Sequence, residues 1–404
     1  MKKNVRDDFP LFAEHPELAY LDSSATAQKP ASVIKAESDF YIKYNANPLR
    51  GLYELSQQAT DIYEKAREDV RRFLGAAHTE EIIFTRGATE ALNLAAASYG
   101  SLLGPGDEIL VSIAEHHSNF LPWREAALKS GAVLRFLECA PDGSISEEAF
   151  RAALSPRTRV VAITQISNVL GVEYPIRRFA ELAHEAGAVL VCDGAQSVPH
   201  RPVDVRDLDV DFLAFSAHKM GGPMGIGVLY GKRKYLKKMP PFMLGGEMIE
   251  YVTREEASWA ELPHKFEAGT VNAAGAAGLS AAIRYYEELG WDTIIGREEV
   301  LSHYAFKALS AVPRLKLLGA EDAAGHHGIF TFTLEGVHPH DIAAILSREQ
   351  IAVRAGHHCA QPLLQHLGIT STIRASLMFY NTESEIDRLA DCLKTVRRRM
   401  GYDE

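Results

Sequence analysis

The sequence has few cysteines and no long apolar run, and these absences restrict the kind of protein it encodes. Four cysteines occur in 404 residues, none of them in a C-x-x-C pair: Cys139, Cys192, Cys359 and Cys392. So few thiols are typical of a reducing compartment. No stretch approaches the roughly 18 apolar residues of a membrane-spanning helix. Because acids rather than an apolar segment follow the first lysines, we expect no secretory signal and a cytoplasmic protein.

An excess of basic residues is also lacking. The chain has 43 Lys and Arg against 53 Asp and Glu, which gives a formal charge of −10. A nucleic-acid partner requires a basic face, so this balance argues against one. We interpret the one basic cluster, residues 232–238, as a solvated turn. Hydrophobic residues make up 47% of the chain, enough for a large core.

The middle of the chain alternates predicted helices with apolar, β-branched runs. We predict helices at residues 88–103, 120–130, 146–154 and 176–187, and strands at 108–112, 133–138, 158–165 and 189–193. Such alternation predicts an α/β fold with a mainly parallel sheet covered on both faces. We assign residues 22–285 to this large domain, since the chain is too long for one core.

From about residue 280 the pattern changes. We predict helices at 277–289, 291–311, 341–349 and 383–400, and strands at 315–318, 329–334 and 351–354. This mixture is typical of a smaller α+β domain, which we assign to residues 286–404 together with residues 1–21.

Polar residues that directly follow apolar runs are the candidate site residues, because ligands bind at the carboxyl ends of strands in α/β sheets. Residues 85–91 (TRGATEA) follow one strand and open a helix, which predicts a phosphate cradle; an ordinary N-cap at Thr89 is an equal alternative. Asp193 follows a buried strand and needs a cationic partner such as a protonated pyridine nitrogen, unless it is an N-cap.

A lysine, Lys219, follows the next apolar run within residues 213–227 (LAFSAHKMGGPMGIG). A buried lysine has a lowered pKa and forms Schiff bases, and Ser216 and His218 are placed to donate to a phosphate beside it. The alternative is a glycine-rich turn with a solvated lysine. Neither a G-x-G-x-x-G fingerprint nor a P-loop is present.

Two further segments carry histidines. In Glu115–Asn119 (EHHSN), one histidine is placed to lie on a flat aromatic cofactor, and a loop hydrogen bond is the alternative. In residues 353–360 (VRAGHHCA), Cys359 lies near Arg354 and two histidines, which suits a nucleophilic thiolate. A zinc site is the competing interpretation there. Arg374 is placed to pair with a carboxylate, or to form a surface salt bridge.

In this order, the motifs resemble the class V aminotransferase family and, within it, the SufS-type cysteine desulfurases, from about residue 9 to residue 401. The matching segments are Tyr20–Ala25, Arg50–Gly51, Arg86–Glu90, Glu115–Asn119, Ser167–Gly171, Asp193–Ser197, Ser216–Lys219, Phe266–Thr270, Arg354–Pro362 and Arg374–Ser376. The last two distinguish this subgroup from other class V enzymes. This sequence departs from the usual motifs of the family at Leu49, Tyr53, Ala88 and Met224.

The resemblance implies pyridoxal 5'-phosphate (PLP) as cofactor, bound covalently to Lys219. It places Asp193 on the pyridine nitrogen, Gln196 on the phenolic oxygen and His116 on the ring face. The other residues that it implies are Ala88, Thr89, Ser216 and His218 for the phosphate, Asn168, Arg374 and Arg354 for the substrate, and Thr270 for the partner subunit's phosphate in a homodimer.

The implied reaction converts L-cysteine to L-alanine and leaves a persulfide on Cys359. The implied partner is a SufU-like or SufE-like sulfur acceptor for iron–sulfur cluster assembly. Residues 338–341 (HPHD) resemble a segment near such an acceptor, although a helix-start turn is the alternative. Other readings are a selenocysteine lyase, another class V lyase or transaminase, a non-catalytic partner protein and a metal-binding module.

Overall fold

A computed structural model describes residues 5–402. The helices are α1 (Pro10–Glu14), α2 (Ala31–Lys43), α3 (Glu54–Phe73), α4 (Ala88–Gly100), α5 (His117–Ser130), α6 (Glu147–Ala153), α7 (Ile176–Glu185), α8 (Arg233–Leu236), α9 (Ala273–Leu289), α10 (Trp291–Ser310), α11 (Pro339–Arg348), α12 (Gln361–His366) and α13 (Glu383–Arg399). The strands are β1 (Ala19–Tyr20), β2 (Ile82–Thr85), β3 (Glu108–Ser112), β4 (Val133–Leu137), β5 (Thr158–Thr164), β6 (Val189–Asp193), β7 (Phe212–Ser216), β8 (Gly227–Gly231), β9 (Ile249–Val252), β10 (Ala257–Trp259), β11 (Leu315–Leu318), β12 (Ile329–Leu334), β13 (Ile351–Ala352), β14 (Arg354–Gly356) and β15 (Thr372–Ser376).

The largest sheet has seven strands in the order β2-β8-β7-β6-β5-β3-β4. Strands β3 to β7 pair in parallel, and β8 is antiparallel to both of its neighbours. Strands β2, β3, β6, β7 and β8 are buried at every residue, as expected for strands covered on both faces. The predicted α/β fold with a mainly parallel sheet is therefore confirmed.

Successive residues of each central strand belong to different hydrophobic cores, because side chains alternate across a sheet. In β6, Leu190 and Cys192 pack in a core that includes residues of α3, α7 and α9. Val189 and Val191 pack in a second core with residues of α4 and α5. Helices thus pack on both faces of the sheet, and this packing fixes the positions of the side chains at the carboxyl ends of its strands.

A second, four-stranded antiparallel sheet has the order β11-β12-β15-β14 and packs with α10, α11 and α13 around a third core. Strand β1 pairs in parallel with β13, so the first described strand lies beside the C-terminal part of the chain. This pairing agrees with grouping residues 1–21 with the C-terminal domain, but the domain limits stay a prediction. None of the helices in the described part of the chain is long and apolar enough to cross a membrane.

Several predicted elements differ from the structure. Helix α9 begins at Ala273 rather than at 277, and helix α4 ends at Gly100 rather than at 103. The single strand predicted at 351–354 is two strands, because β13 pairs with β1 while β14 pairs with β15 in another sheet. The basic cluster at 232–238 has exposed charges as predicted, but its backbone forms the short helix α8 around the buried Leu236. Helix α5 begins at His117 rather than at 120, because His116 caps it by accepting from the Ser118 N–H.

A buried ion pair joins three segments below one edge of the sheet. Arg67 of α3 donates to both oxygens of Glu267, over 2.7 and 2.8 Å. Glu267 also accepts from the Phe84 N–H at 2.7 Å and from the Tyr63 hydroxyl at 2.8 Å. The pair is satisfied by these donors, and it fixes the end of β2 to the loop that continues to Thr270.

Replacing Arg67 with Met should destabilise the fold strongly, because the carboxylate of Glu267 would stay buried without a cation. Breaking such a pair costs about 3–5 kcal/mol. The matched control is Arg151→Met, which removes an exposed arginine that pairs with Glu147 and Glu185. We expect the control to cost less than about 1 kcal/mol. Denaturant unfolding of both variants checks this, and equal losses would contradict the assignment.

Candidate active site

A cavity of about 730 Å³ opens at the carboxyl ends of the parallel strands. The residues that line it come from segments far apart in the sequence, as expected for a site at this edge. Of the predicted site residues, the cavity brings together Ala88, Thr89, His116, Asn168, Asp193, Gln196, Ser216, His218, Lys219, Arg354, Cys359 and Arg374. Thr270 is the predicted residue that it does not include.

The amino end of α4 forms one wall of the cavity. Its N-cap is Gly87, and the next N–H group, that of Ala88, donates to the Ser216 hydroxyl at 2.7 Å. A Cβ on Gly227 would lie only 2.4 Å from Gly87 Cα, so glycine is required where β8 passes this turn. Gly87 rather than Thr89 is thus the N-cap, and an anion placed at this end of the helix would face the N–H groups of its first turn.

Lys219 and Asp193 are the charged pair of the cavity floor. Burial lowers the pKa of the Lys219 amine to about 8, with the Asp193 carboxylate acting in the opposite direction. Burial raises the pKa of Asp193, which Lys219 and the Ala195 N–H oppose. Lys219 is half-buried and lines the cavity instead of projecting from an exposed turn. An amine with a pKa near 8 is neutral in a substantial fraction at that pH.

In the described part of the chain, five polar side-chain atoms of the residues that line the cavity are buried without a partner. They are Oγ of Ser24, Oε1 of Gln196, Nδ1 of His358, Oγ of Ser371 and Nε of Arg374. Buried polar atoms are normally hydrogen-bonded, so each marks a place where a bound molecule would complete the contacts. Gln196 is already fixed, because its Nε2 donates to the Ser24 carbonyl at 2.9 Å.

His116 lies between the cavity and α5. Burial, followed by the charge of Lys219, lowers the pKa of its imidazole to about 3, so the ring is neutral at pH 7. Its Nδ1 accepts from the Ser118 N–H at 3.1 Å, which leaves the proton on Nε2. A neutral ring that is held through Nδ1 is suited to lie against a flat ligand and to carry a proton on Nε2.

Cys359 is exposed, whereas the other three cysteines are buried. Both His358 and Cys359 have left-handed backbones, with φ of 52° and 56°. This conformation costs about 1–2 kcal/mol per residue and is held here by contacts to the large sheet. The Cys359 carbonyl accepts from the His117 N–H at 2.7 Å, and the His358 carbonyl accepts from Asn168 Nδ2 at 2.8 Å.

Two arginines approach the same cavity from the second sheet. Arg374 is buried and donates from Nη1 to the Asn168 carbonyl at 2.8 Å, so the alternative of a surface salt bridge is wrong. Burial lowers its pKa to about 10, and the group is still a cation at pH 7. Arg354 is more exposed, and it pairs with Asp22.

Asp22 is the residue near this site whose role the sequence reasoning missed. It lies two residues after β1, separated from the strand by Leu21, so its place just beyond a strand is similar to the signal that singled out Asp193. The strand has only two residues, Ala19 and Tyr20, and is too short to be recognised from its apolar pattern.

Thr270 lies outside this cavity. It lines a separate hollow of about 440 Å³ together with Arg86, Gly225 and Met243. Within one chain its hydroxyl therefore does not reach the residues around Lys219.

Residues 19–389 match the family described as aminotransferase class-V. A probable cysteine desulfurase of Halalkalibacterium halodurans is 51% identical over 95% of this chain and 94% of that protein. One of Staphylococcus epidermidis is 46% identical over 99% and 98%.

Two solved structures are similar over nearly the whole chain. The cysteine desulfurase CsdA of Escherichia coli has a TM-score of 0.90 and 39% identity, covering 98% of each chain. The apo cysteine desulfurase of Thermococcus onnurineus NA1 has a TM-score of 0.94 and 38% identity, covering 99% of this chain and 98% of the other. The chain belongs to the class V aminotransferase family.

Proposed function

We propose that this protein is a PLP-dependent cysteine desulfurase, which converts L-cysteine to L-alanine and receives the sulfur on Cys359. The observation that carries the proposal is that one cavity contains both the exposed Cys359 and the desolvated Lys219 amine. A transaminase has no use for such a thiol. Relatives that are 46–51% identical and named probable cysteine desulfurases support the same conclusion.

The charged and polar residues that line the cavity fit the chemical groups of PLP. The cofactor, when bound, supplies an electron sink for an amino acid joined to it. Lys219 would hold it covalently, Asp193 would pair with its pyridine nitrogen, and the buried Gln196 amide would contact its phenolic oxygen. Ala88, Thr89, Ser216 and His218, at the start of α4 and beside Lys219, would hold its phosphate. His116, neutral and fixed by Ser118, would lie against its ring.

The substrate is held by its carboxylate and loses a proton to the protein. Arg374 and Arg354 provide the cations, and Asn168 has one amide N–H left, since the other donates to the His358 carbonyl. Once the amine of the substrate has taken the place of Lys219 on the cofactor, the freed Lys219 amine, neutral in part near pH 8, would take the proton from Cα.

Cys359 then acts as the nucleophile. Its thiolate attacks the substrate sulfur, so that a sulfur–sulfur bond forms and the carbon–sulfur bond breaks. The electron pair of the broken bond stays with the carbon skeleton, which takes up protons and leaves as alanine. The sulfur stays on Cys359 as a persulfide, and neither an oxidant nor a reductant is consumed.

Replacing Cys359 with Ala should abolish sulfur release from L-cysteine and leave the PLP absorbance unchanged, because the thiol is not among the cofactor's contacts. The matched control is Cys392→Ala, which removes a buried thiol of α13 and should retain both properties. Alanine and sulfide formation are measured for both variants. Unchanged activity of Cys359→Ala would contradict the proposal, and activity retained on selenocysteine alone would identify a selenocysteine lyase.

The active unit that we propose is a homodimer, in which Thr270 contacts the phosphate bound by the partner subunit. Its position outside the cavity of its own chain supports this. Apolar side chains beside that region are open to solvent in one chain, among them Met224, 67% exposed, and Leu244, 70% exposed. Such side chains are typical of a surface that a second copy covers.

Thr270→Val should leave the dimer intact and speed PLP loss on the order of tenfold, because one hydrogen bond to a charged group is removed. Light scattering reports the mass, and dialysis followed by absorbance reports PLP loss. Thr395→Val, on α13, is the control that should retain PLP normally. A monomeric wild type, or equal PLP loss in both variants, would contradict this arrangement.

The persulfide is passed to an acceptor, which we propose to be a SufU-like or SufE-like protein that serves iron–sulfur cluster assembly. The exposed Cys359 and the histidines His338 and His340 at the same cavity support a docking site there. All four cysteines are free thiols, which agrees with a cytoplasmic location. A persulfide that survives incubation with both kinds of acceptor would contradict this step.

A further inference from the structure

Asp22 contacts both arginines of the carboxylate-binding wall. Its Oδ2 lies 2.9 Å from Arg354 Nη2, and its Oδ1 lies 3.2 Å from Arg354 Nε, which is a bidentate pair. Oδ1 also lies 3.5 Å from Arg374 Nη2. One carboxylate therefore bridges two guanidinium groups that would otherwise repel each other.

The bridge is on the protein side of the arginines. Both arginines line the cavity, whereas Asp22 is not among the lining residues, and its side chain is only 15% exposed. Asp22 is therefore not in the position that a substrate carboxylate takes. It acts on the substrate through the two arginines, by fixing their orientation and by reducing their combined charge from two to one.

The other titratable groups that line the cavity near the two arginines keep the same charges whichever ligand binds. Lys219 and Asp193 lie on the cavity floor, and Cys359 lies beside the arginines. The imidazoles of His116 and His358 are neutral, since burial lowers the pKa of each to about 3. Asp22 is thus the carboxylate that directly balances the arginine pair.

We propose that Asp22 is a positioning residue that keeps the arginine pair from binding simple anions tightly, so that retention of a ligand also requires an amine. This rests on the proposed function, in which the wall binds the carboxylate of cysteine. With a net charge of one, the pair matches one carboxylate. Without the Asp22 carboxylate, the arginine pair would carry a net charge of two in a partly desolvated site. It would then retain anions that carry no amine, because Coulomb interactions are stronger there than in water.

The side chain of Asp22 can be changed without removing its backbone contacts. Its carbonyl accepts from the Ala25 N–H at 3.0 Å, and its main chain forms a bridge with Ser376. Asp22→Asn is close in shape and removes only the charge. The matched control is Asp39→Asn, which removes a charge from α2 where Lys35 and Lys43 are the partners.

The test is calorimetric titration of the PLP-loaded protein with propionate, a carboxylate without an amine, and with the uncharged propionamide. For Asp22→Asn we expect propionate to bind about tenfold more tightly than to the wild type, with propionamide unchanged. Asp39→Asn should bind both ligands as the wild type does. A merely structural role would weaken propionate binding, so unchanged or weaker affinity overturns the proposal.

Asp22→Ser gives a second test if Asp22→Asn does not fold, with the same tightening expected. The binding assay does not depend on turnover. A wild type that releases no sulfur from cysteine would refute the proposed function, whereas an active wild type with unchanged propionate affinity in the variants would refute the role of Asp22 alone.

Discussion

The hydrogen bond from the His117 N–H to the Cys359 carbonyl, 2.7 Å long, is the contact on which the site depends. It joins the start of α5, at the edge of the large sheet, to a loop of the C-terminal part. Together with the bond from Asn168 to the His358 carbonyl, it holds two consecutive left-handed residues in place. These bonds, with the one from the Gln361 N–H to His117 Nε2, set the position of the thiol relative to the large sheet.

Desolvation determines the chemistry inside the cavity. It lowers the pKa of Lys219, His116, His358 and Arg374 and raises that of Asp193. The two histidines are then neutral at pH 7, the lysine is neutral in part, and the arginine keeps its charge. A base, a neutral ring and a cationic wall thus coexist within one cavity, because the ordinary pKa values of lysine, histidine and arginine are far enough apart to be lowered together and still differ.

The elements and site residues that depend on local sequence pattern are the ones predicted most accurately. The strands at 108–112 and 189–193 were predicted with their observed limits, because each is a continuous apolar run bounded by polar residues. Asp193 and Lys219 were found because they directly follow such runs. The division at 351–354 was missed, since the two halves pair with strands that are distant in sequence. Asp22 was given no role for the same reason, because its partners lie more than 330 positions away in the chain.

The fate of the sulfur atom is the most direct test of the role of Cys359. Wild-type, PLP-loaded protein is incubated with L-cysteine, alkylated and digested, and its four cysteine-containing sites are examined by mass spectrometry. We expect one additional sulfur atom on Cys359, formed together with alanine, and none on the three buried cysteines. Alanine formed without sulfur on Cys359, or sulfur found first on another cysteine, would contradict the role of Cys359 as sulfur acceptor.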